Sequence, residues 1–314
     1  MREAALEDFE SGNFLPSATN FVKVLLRCPT CTKSSFNLAV ILQTSGETFF
    51  AVSWMLRVVA RDDSDSVAHT VLRYHEFADS VPKLVIAGYH SILTSHSITH
   101  VRAVHSLATL EGATTTKTAA PAYVAKVFDE LAETFEEKLV AHLEYRVPWQ
   151  LVEALQKLSP PGFISKGSTS GPEWVVADIG CGTAEDIVPF LKSRVDESLD
   201  LVISADVWIY VGELEKVFAL SARKLRPSTG WFAFSVELMP STQSSSSPFS
   251  TDEVAVGFRL APSGRFQHSP GYIVSLAERW GFNIVLQEEI SVRKESGVAI
   301  PGRIYILQRV DQSM

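Results

Sequence analysis

The stretch VVADIGCGTAEDIVPFLK, Val175 to Lys192, sets an acid (Asp178) at the end of an apolar run. A glycine turn follows, Gly180-Cys181-Gly182-Thr183, and an amphipathic segment begins directly behind it. Glycines let a backbone approach a bound group where a Cβ would clash, and the first N–H groups of a helix offer donors and partial positive charge to an anion. Acid, glycine turn and helix start, in that order, are how a nucleotide-type cofactor site opens in an α/β protein. A second apolar run, DLVISA (Asp200–Ala205), ends at Asp206 with Tyr210 close behind. Open α/β sheets bind ligands at such strand ends. Arg265 and His268 follow a third apolar run, in a segment that reads as a loop. His268 is a candidate general base and Arg265 a candidate holder of a substrate anion, or the two simply order that loop.

These residues need strands and helices to bring them together. Trp174–Asp178, Asp200–Ala205 and Trp231–Val236 read as short buried strands, with helices over Ala184–Ser193 and Glu213–Leu225 between them. Phe258–Leu260 is a further short apolar run. A helix over Pro270–Trp280 and strands near Phe282–Glu288 and Gly302–Leu307 complete the pattern. Apolar strands alternating with helices predict a parallel sheet covered on both faces.

VVADIGCGT (Val175–Thr183), DLVISADVWIYVGELEKVFALSARKLRP (Asp200–Pro227) and WFAFSVE (Trp231–Glu237) resemble the class I S-adenosylmethionine-dependent methyltransferases. FDELAETFEEKLVAHLEYRVP, upstream, and FRLAPSGRFQHSPGYIVSLAERWGF, downstream, resemble a subgroup in which a tetratricopeptide array precedes the methyltransferase. The resemblance implies a Rossmann-like sheet, mostly parallel with an antiparallel last strand, and S-adenosylmethionine as cofactor. It places Asp178, Gly180, Cys181, Gly182, Thr183 and Asp206 at the cofactor, with Asp178 accepting from its ammonium group. Tyr210, Arg265 and His268 become catalytic candidates, although methyl transfer to a good nucleophile needs mainly alignment and no base at all.

The sequence departs from that family behind the turn. From Thr183 to Asp200 there is room for one helix, whereas the family implies a second and a third strand, with an acid gripping the ribose and a wall framing the adenine. Ala184 stands where the family has another glycine, and Glu185 and Asp186 would repel a cofactor carboxylate. The expectation is a truncated sheet with its first strand at an edge, binding S-adenosylmethionine weakly or not at all. A loss of roughly forty to fifty residues, two strand–helix units, accounts for the gap. An incomplete coding model, an alternative transcript and real loss would each produce it. The alternative to a methyltransferase is a non-catalytic scaffold carrying a remnant domain. An oxidoreductase fits less well, because G-C-G lacks a third glycine and no strand-end acid follows about twenty residues on.

Residues 1–112 repeat with a period of 34: Gly12 and Gly46; Ser17, Ala51 and Val85; Phe21, Met55 and Tyr89; Val24, Val58 and Ile92. Each unit holds two apolar segments of helical spacing, which must stack on neighbours to bury their faces. The small-x-x-x-aromatic spacing and Pro29 are similar to the tetratricopeptide repeat family; its tryptophan, Leu-Gly pair and most prolines are missing. The resemblance implies an α-solenoid of about three and a half helix pairs whose concave face binds a peptide, or an array that only packs on the second domain. Residues 113–173 read as a bridge. Val124, Phe128, Leu131, Phe135 and Leu139 mark one amphipathic helix, Pro148 opens another, and SPPGFISKGSTSGPE is a linker. Residues 174–314 form the methyltransferase-like part.

Composition narrows the classes. The 314 residues carry a net charge of −8 without a dense basic run, which argues against nucleic acid as partner. Three cysteines suit a reducing compartment, and Cys28-x-x-Cys31 is half a zinc site with no second half, so two small residues in a turn is the plainer reading and no metal is expected. His96 and His100, four apart, read as a solvated surface pair. The acidic N-terminus is no signal peptide, and no apolar run reaches the ~18 residues a membrane span needs. The expected location is cytoplasmic. Neither the methyl acceptor nor the oligomeric state is written in these features.

Overall fold

The computed structural model describes residues 1–74, 77, 80–96, 100–111, 116–132, 134, 143–158, 174–180, 184–240, 256–295 and 297–311. Contacts divide the chain into two units, Met1–Gly112 with Ala261–Gly264, and Ala113–Leu260 with Arg265–Met314.

The described part of the first unit is helical: α1 (Arg2–Glu10), α2 (Phe14–Arg27), α3 (Thr32–Thr44), α4 (Thr48–Arg61), α5 (Ser66–Arg73), α6 (Pro82–His96) and α7 (Val101–Glu111). Gly12 (φ +76) and Gly46 (φ +80) sit in the left-handed region at the two equivalent turns, α1 to α2 and α3 to α4, where a side chain would be strained. The positions 34 apart on α2, α4 and α6 carry the packing: Ser17, Ala51, Val85, Phe21, Met55 and Tyr89 are all fully buried. Small residues let helices approach closely, and Ser17 Oγ donates to Ala5 O of α1 at 2.6 Å. Asp63 caps α7 from a distance, accepting from the N–H groups of Arg102 (3.1 Å) and Ala103 (2.9 Å). Arg73 Nε donates to Pro262 O (3.0 Å) and His105 Nε2 to Gly264 O (2.7 Å), which ties Ala261–Gly264 into this unit.

The histidine pair departs from the solvated reading. His100 is buried, faces Ala60 O at 3.1 Å through Nε2, and stacks on His96 with 4.7 Å between ring centroids. Cys31 Sγ donates to Ser34 Oγ (3.1 Å), and no group of three or more metal-ligating side chains occurs among the described residues.

The second unit is built on a five-stranded sheet of order β1-β2-β3-β7-β6. Its strands are β1 (Val176–Asp178), β2 (Leu201–Ser204), β3 (Trp231–Glu237), β6 (Phe282–Glu295) and β7 (Val298–Arg309). β1, β2 and β3 pair in parallel, whereas β7 lies antiparallel between β3 and β6, so four strands share one direction. β4 (Phe258–Leu260) and β5 (Phe266–His268) form a separate antiparallel pair. Side chains alternate across the sheet as a period of two requires. Leu201, Trp231, Ala233, Ile304 and Ile306 face α9 (Val147–Leu158), while Val202, Phe232, Phe234, Tyr305 and Leu307 face α10 (Ala184–Ser193), α11 (Glu215–Lys224) and α12 (Pro270–Arg279). α8 (Pro121–Leu131) is the described part of the first bridge helix; Phe135 and Leu139 lie outside the described residues. No described helix is long and apolar enough to cross a membrane.

β6 and β7 run well past the strands expected from the sequence, because QEEISVRKE carries only two apolar residues, Ile290 and Val292, among its charges. A bulge between Ser291 and Arg293 leaves Val292 out of the ladder, packed over Gly302. A Cβ at Gly302 would lie 2.2 Å from Val292 Cγ2 and 2.8 Å from the backbone Val236 O. Gly302→Ala is expected to cost about 1–3 kcal/mol by overpacking. The comparison is Gly271→Ala, where nothing lies within 4 Å. Urea unfolding of the two variants checks this, and equal stabilities would contradict the close approach.

Candidate functional site

β1 and β2 deliver their acids to the same edge of the sheet. Asp178 is level with Ile203, and Ile179 N–H donates to Ile203 O at 2.8 Å. Asp178 is exposed at the carboxyl end of β1, and Gly180 follows it. A Cβ built on Gly180 would sit 3.7 Å from both Asp178 Oδ1 and Val207 Cγ2, which is ordinary contact. Packing among the described residues therefore does not demand glycine there. Cys181, Gly182 and Thr183 lie outside the described residues. α10 starts at Ala184. A cavity of about 470 Å³ opens beside its first two turns, lined by Ile187, Val188, Thr118, Val211 and Glu213. Lys117–Ala119 is laced onto the segment after β2: Ala119 N–H donates to Tyr210 O (2.8 Å) and Gly212 N–H to Lys117 O (2.9 Å).

Asp206 is in a strained place, at φ +56, with its N–H donating to Ser235 Oγ at 2.9 Å. Its carboxylate lies 3.3 Å from Nη1 of Arg293, a residue of β6. The Arg293 guanidinium also reaches Glu237, at the end of β3, and Glu295 Oε1 at 2.8 Å. Glu295 in turn pairs with Arg265. Three carboxylates thus share two guanidiniums, and Asp206 Oδ1 is buried without a hydrogen-bond partner among the described residues. Burial, against the pull of Arg293 and with the push of Glu237, raises Asp206 to about 7. Burial also opposes the charges on Glu295 and Arg293, but their partners outweigh it, holding the acid below and the guanidinium above the ordinary range.

The two catalytic candidates beyond β3 do not sit in an open loop. His268 is a strand residue of β5 and fully buried. Its Nε2–H lies 3.0 Å from both Val211 O and Gly212 O, while Nδ1 is buried without a partner among the described residues. Burial lowers the imidazole to about 4 despite those carbonyls. Fully buried and hydrogen-bonded to two carbonyls, His268 ties β5 to the segment after β2. Arg265 is already paired with Glu295 and does not wait for an anion. Tyr210 closes a 3-10 turn (Trp208–Tyr210), with its ring 5.8 Å from Phe128, and burial pushes its phenol up to about 12. Sequence reasoning missed Arg293, Glu237, Glu295 and Tyr145, the last buried, with burial and then Asp206 raising its phenol. Glu237 had a signal, being the third acid to end an apolar strand. Arg293 had none.

In the helical unit Asp63, His69 and Ser106 line up like a charge-relay triad. His69 lies 3.3 Å from Asp63 through Nε2 and 3.3 Å from Ser106 Oγ through Nδ1. All three are buried, and Tyr89 OH and Arg73 occupy the remaining positions on Nδ1 and Ser106. The group braces helices and meets no substrate.

No protein-family model matches this sequence, and no curated protein does. Among solved structures, a SAM-dependent methyltransferase from Methanosarcina mazei matches at 16% identity over 38% of this chain and 62% of its own, with a TM-score of 0.29. A phosphoethanolamine N-methyltransferase from Haemonchus contortus, in complex with phosphomonomethylethanolamine and S-adenosylhomocysteine, matches at 14% over 38% and 35%, with a TM-score of 0.28. The 1,6-didemethyltoxoflavin-N1-methyltransferase of Burkholderia thailandensis, with its substrate and S-adenosylhomocysteine bound, matches at 14% over 62% and 92%, at 0.38. The matched part spans less than two thirds of the first two of these chains. Scores below 0.5 add no weight to the strand order and site geometry already described.

Arg293→Ala would leave Asp206 and Glu237 without their cation in a largely buried place, Glu295 keeping Arg265, and is expected to cost about 3–5 kcal/mol in urea unfolding. Asp206 supplies a pH signature. Its folded pKa is raised, so between the ordinary carboxylate value near ~4 and about 7 the folded protein keeps a proton that the unfolded chain has released. That group makes stability fall as pH rises through this window. Asp206→Asn should therefore gain on the wild type between pH 5 and pH 8, and a pH-independent difference would refute the raised value.

Proposed function

We propose that the α/β unit is an S-adenosylmethionine-dependent methyltransferase domain that, in this chain, keeps the amino-acid half of its cofactor site and lacks the ribose half. One observation carries the reading. Strand β1 ending in Asp178, Gly180 beyond it and the start of α10 at Ala184 stand at the carboxyl edge of three parallel strands, with the last strand antiparallel between β3 and β6. Asp178 offers an exposed carboxylate to an ammonium group. Gly180, which packing leaves free to be alanine, keeps backbone accessible, and Cys181, Gly182 and Thr183 belong to the same cradle in this reading. Asp206, committed to Arg293, shapes the neighbouring strand end, with Tyr210 beside it.

The ribose side fits poorly. α10 runs from the turn to β2 as the whole connection, and β1 is the edge of the described sheet, with Val175 and Val176 about half exposed. No acid-tipped strand flanks β1 on that side among the described residues. When bound, the cofactor supplies an electrophilic methyl group on a sulfonium; this chain's residues orient its amino-acid end and exclude little water from the rest. The acceptor is undefined.

That bare edge also favours a second reading, a non-catalytic protein in which tetratricopeptide-like helix pairs dock a protein or peptide and the sheet is a remnant. The buried positions 34 residues apart on α2, α4 and α6 support the repeat assignment. The free thiols of Cys28 and Cys31 suit a reducing cytoplasm.

Calorimetric titration with S-adenosylmethionine separates the readings. The expected affinity is weak, with Kd on the order of 0.1–1 mM. Gly180→Ala should abolish binding while leaving the thermal midpoint within about 2 °C, because its methyl group meets only ordinary contacts. Micromolar binding would refute the missing half, and no heat at millimolar cofactor would leave only the scaffold.

A further inference from the structure

We infer that the groove between α2 and α4 docks an acidic amphipathic helix of a partner protein. The groove, about 410 Å³, is floored by Leu38 and Leu42 of α3 and walled by Val22 and Lys23 of α2 and Phe50 and Trp54 of α4. Its walls are apolar and open to solvent at Phe50 (56% exposed) and Val22 (41%), and the same two helices carry further exposed apolar side chains, Leu15 (79%), Leu26 (78%) and Phe49 (57%). Single exposed apolar residues need no explanation, but a contiguous strip along a groove marks an interaction surface.

Charge identifies the occupant. α2, α3 and α4 carry Lys23, Arg27, Lys33, Arg57 and Arg61 and not one Asp or Glu, in a chain with 36 acids against 28 Lys and Arg. None of the five forms an ion pair among the described residues. The Arg57 guanidinium lies 4.5 Å over the Trp54 ring, which holds it at the groove. The arrangement is duplicated. Leu15 and Phe49, Lys23 and Arg57, and Arg27 and Arg61 are each 34 residues apart, so both walls present apolar side chains near the helix start and cations toward its end. The next equivalents, Lys83, Ser91 and Ser95, break the pattern, confining the site to the first two helix pairs. Arg27 and Arg61 also complement the dipoles of their own helices; Lys23 and Arg57 stand a turn further in, beside the groove. Eight residues of helix separate Leu15 from Lys23, about 12 Å at 1.5 Å per residue. A helical ligand laying two turns of apolar side chains in the groove and acids at one end matches both halves. The site lies within the helical unit, so its test is indifferent to whether the α/β unit binds a cofactor.

The probe is a fluorescein-labelled 14-residue amphipathic peptide with leucines on one face and glutamates flanking them. Its control is a sister peptide with lysine in place of every glutamate. Anisotropy with the full chain should show binding of the acidic peptide alone. Raising salt from 50 to 500 mM should weaken it at least about fivefold, and Lys23→Glu with Arg57→Glu about tenfold or more. Phe50→Ala, an exposed position, should weaken it while leaving the thermal midpoint unchanged. The proposal fails if neither peptide binds, if both bind alike, or if the substitutions have no effect. It fails equally if a labelled single-stranded oligonucleotide binds more tightly. Sedimentation showing self-association that Phe50→Ala abolishes would give the groove to a second copy of the chain and overturn it too.

Discussion

A guanidinium buried at the carboxyl edge of the sheet needs compensation, and Arg293 obtains it from three elements at once. Asp206 arrives from the end of β2, Glu237 from the end of β3 and Glu295 from β6 itself. An uncompensated charge there would cost several kcal/mol, so the three strand ends are held together by the requirement that each carboxylate meet the same cation. The bulge at Val292 belongs to this arrangement: it interrupts the alternation of β6, so that Val292 and Arg293 are both buried, and the absent side chain of Gly302 makes room for Val292. Burial, with the push of Glu237, then raises the Asp206 carboxyl to about 7 against the pull of Arg293.

That network bears on chemistry at the sheet edge. Asp206 could be read from its position as a ligand-facing acid, yet its side chain is largely buried and its Oδ2 is committed to Arg293. His268 is likewise withdrawn, donating to two carbonyls that follow Trp208–Tyr210. What remains open at the edge is Asp178 and the backbone beyond it. The site therefore offers a carboxylate and helix-start donors more than an acid–base apparatus, which suits a reaction driven by alignment of a reactive donor.

The helical unit solves a different problem with different means. Its polar interior runs from Asp63 through His69 to Ser106 and Arg73 in a chain of close polar contacts, while its first two helix pairs leave apolar side chains and cations outside. Small residues at repeat-equivalent positions close the pairs, and the larger side chains of Phe21, Met55 and Tyr89 one turn later fill the space between them.

Much of this was legible locally. Periodicity fixed α10 at Ala184–Ser193 to the residue and located β1, β2 and β3, because apolar spacing reports which face of a short element is buried. The 34-residue register marked Phe21, Met55 and Tyr89 as core for the same reason. Glycines at 12 and 46 announced their turns. What the chain could not announce was pairing between distant segments. Arg293 stands 87 residues from Asp206 in a charged stretch with few apolar residues, and only the order β1-β2-β3-β7-β6 brings the two within reach. His268 looks like a base in an exposed connection until β4 and β5 pair and bury it. Local patterning governs which residues are helix, strand or core; ionisation and access depend on what the fold lays across each side chain, and that is settled only by tertiary contact.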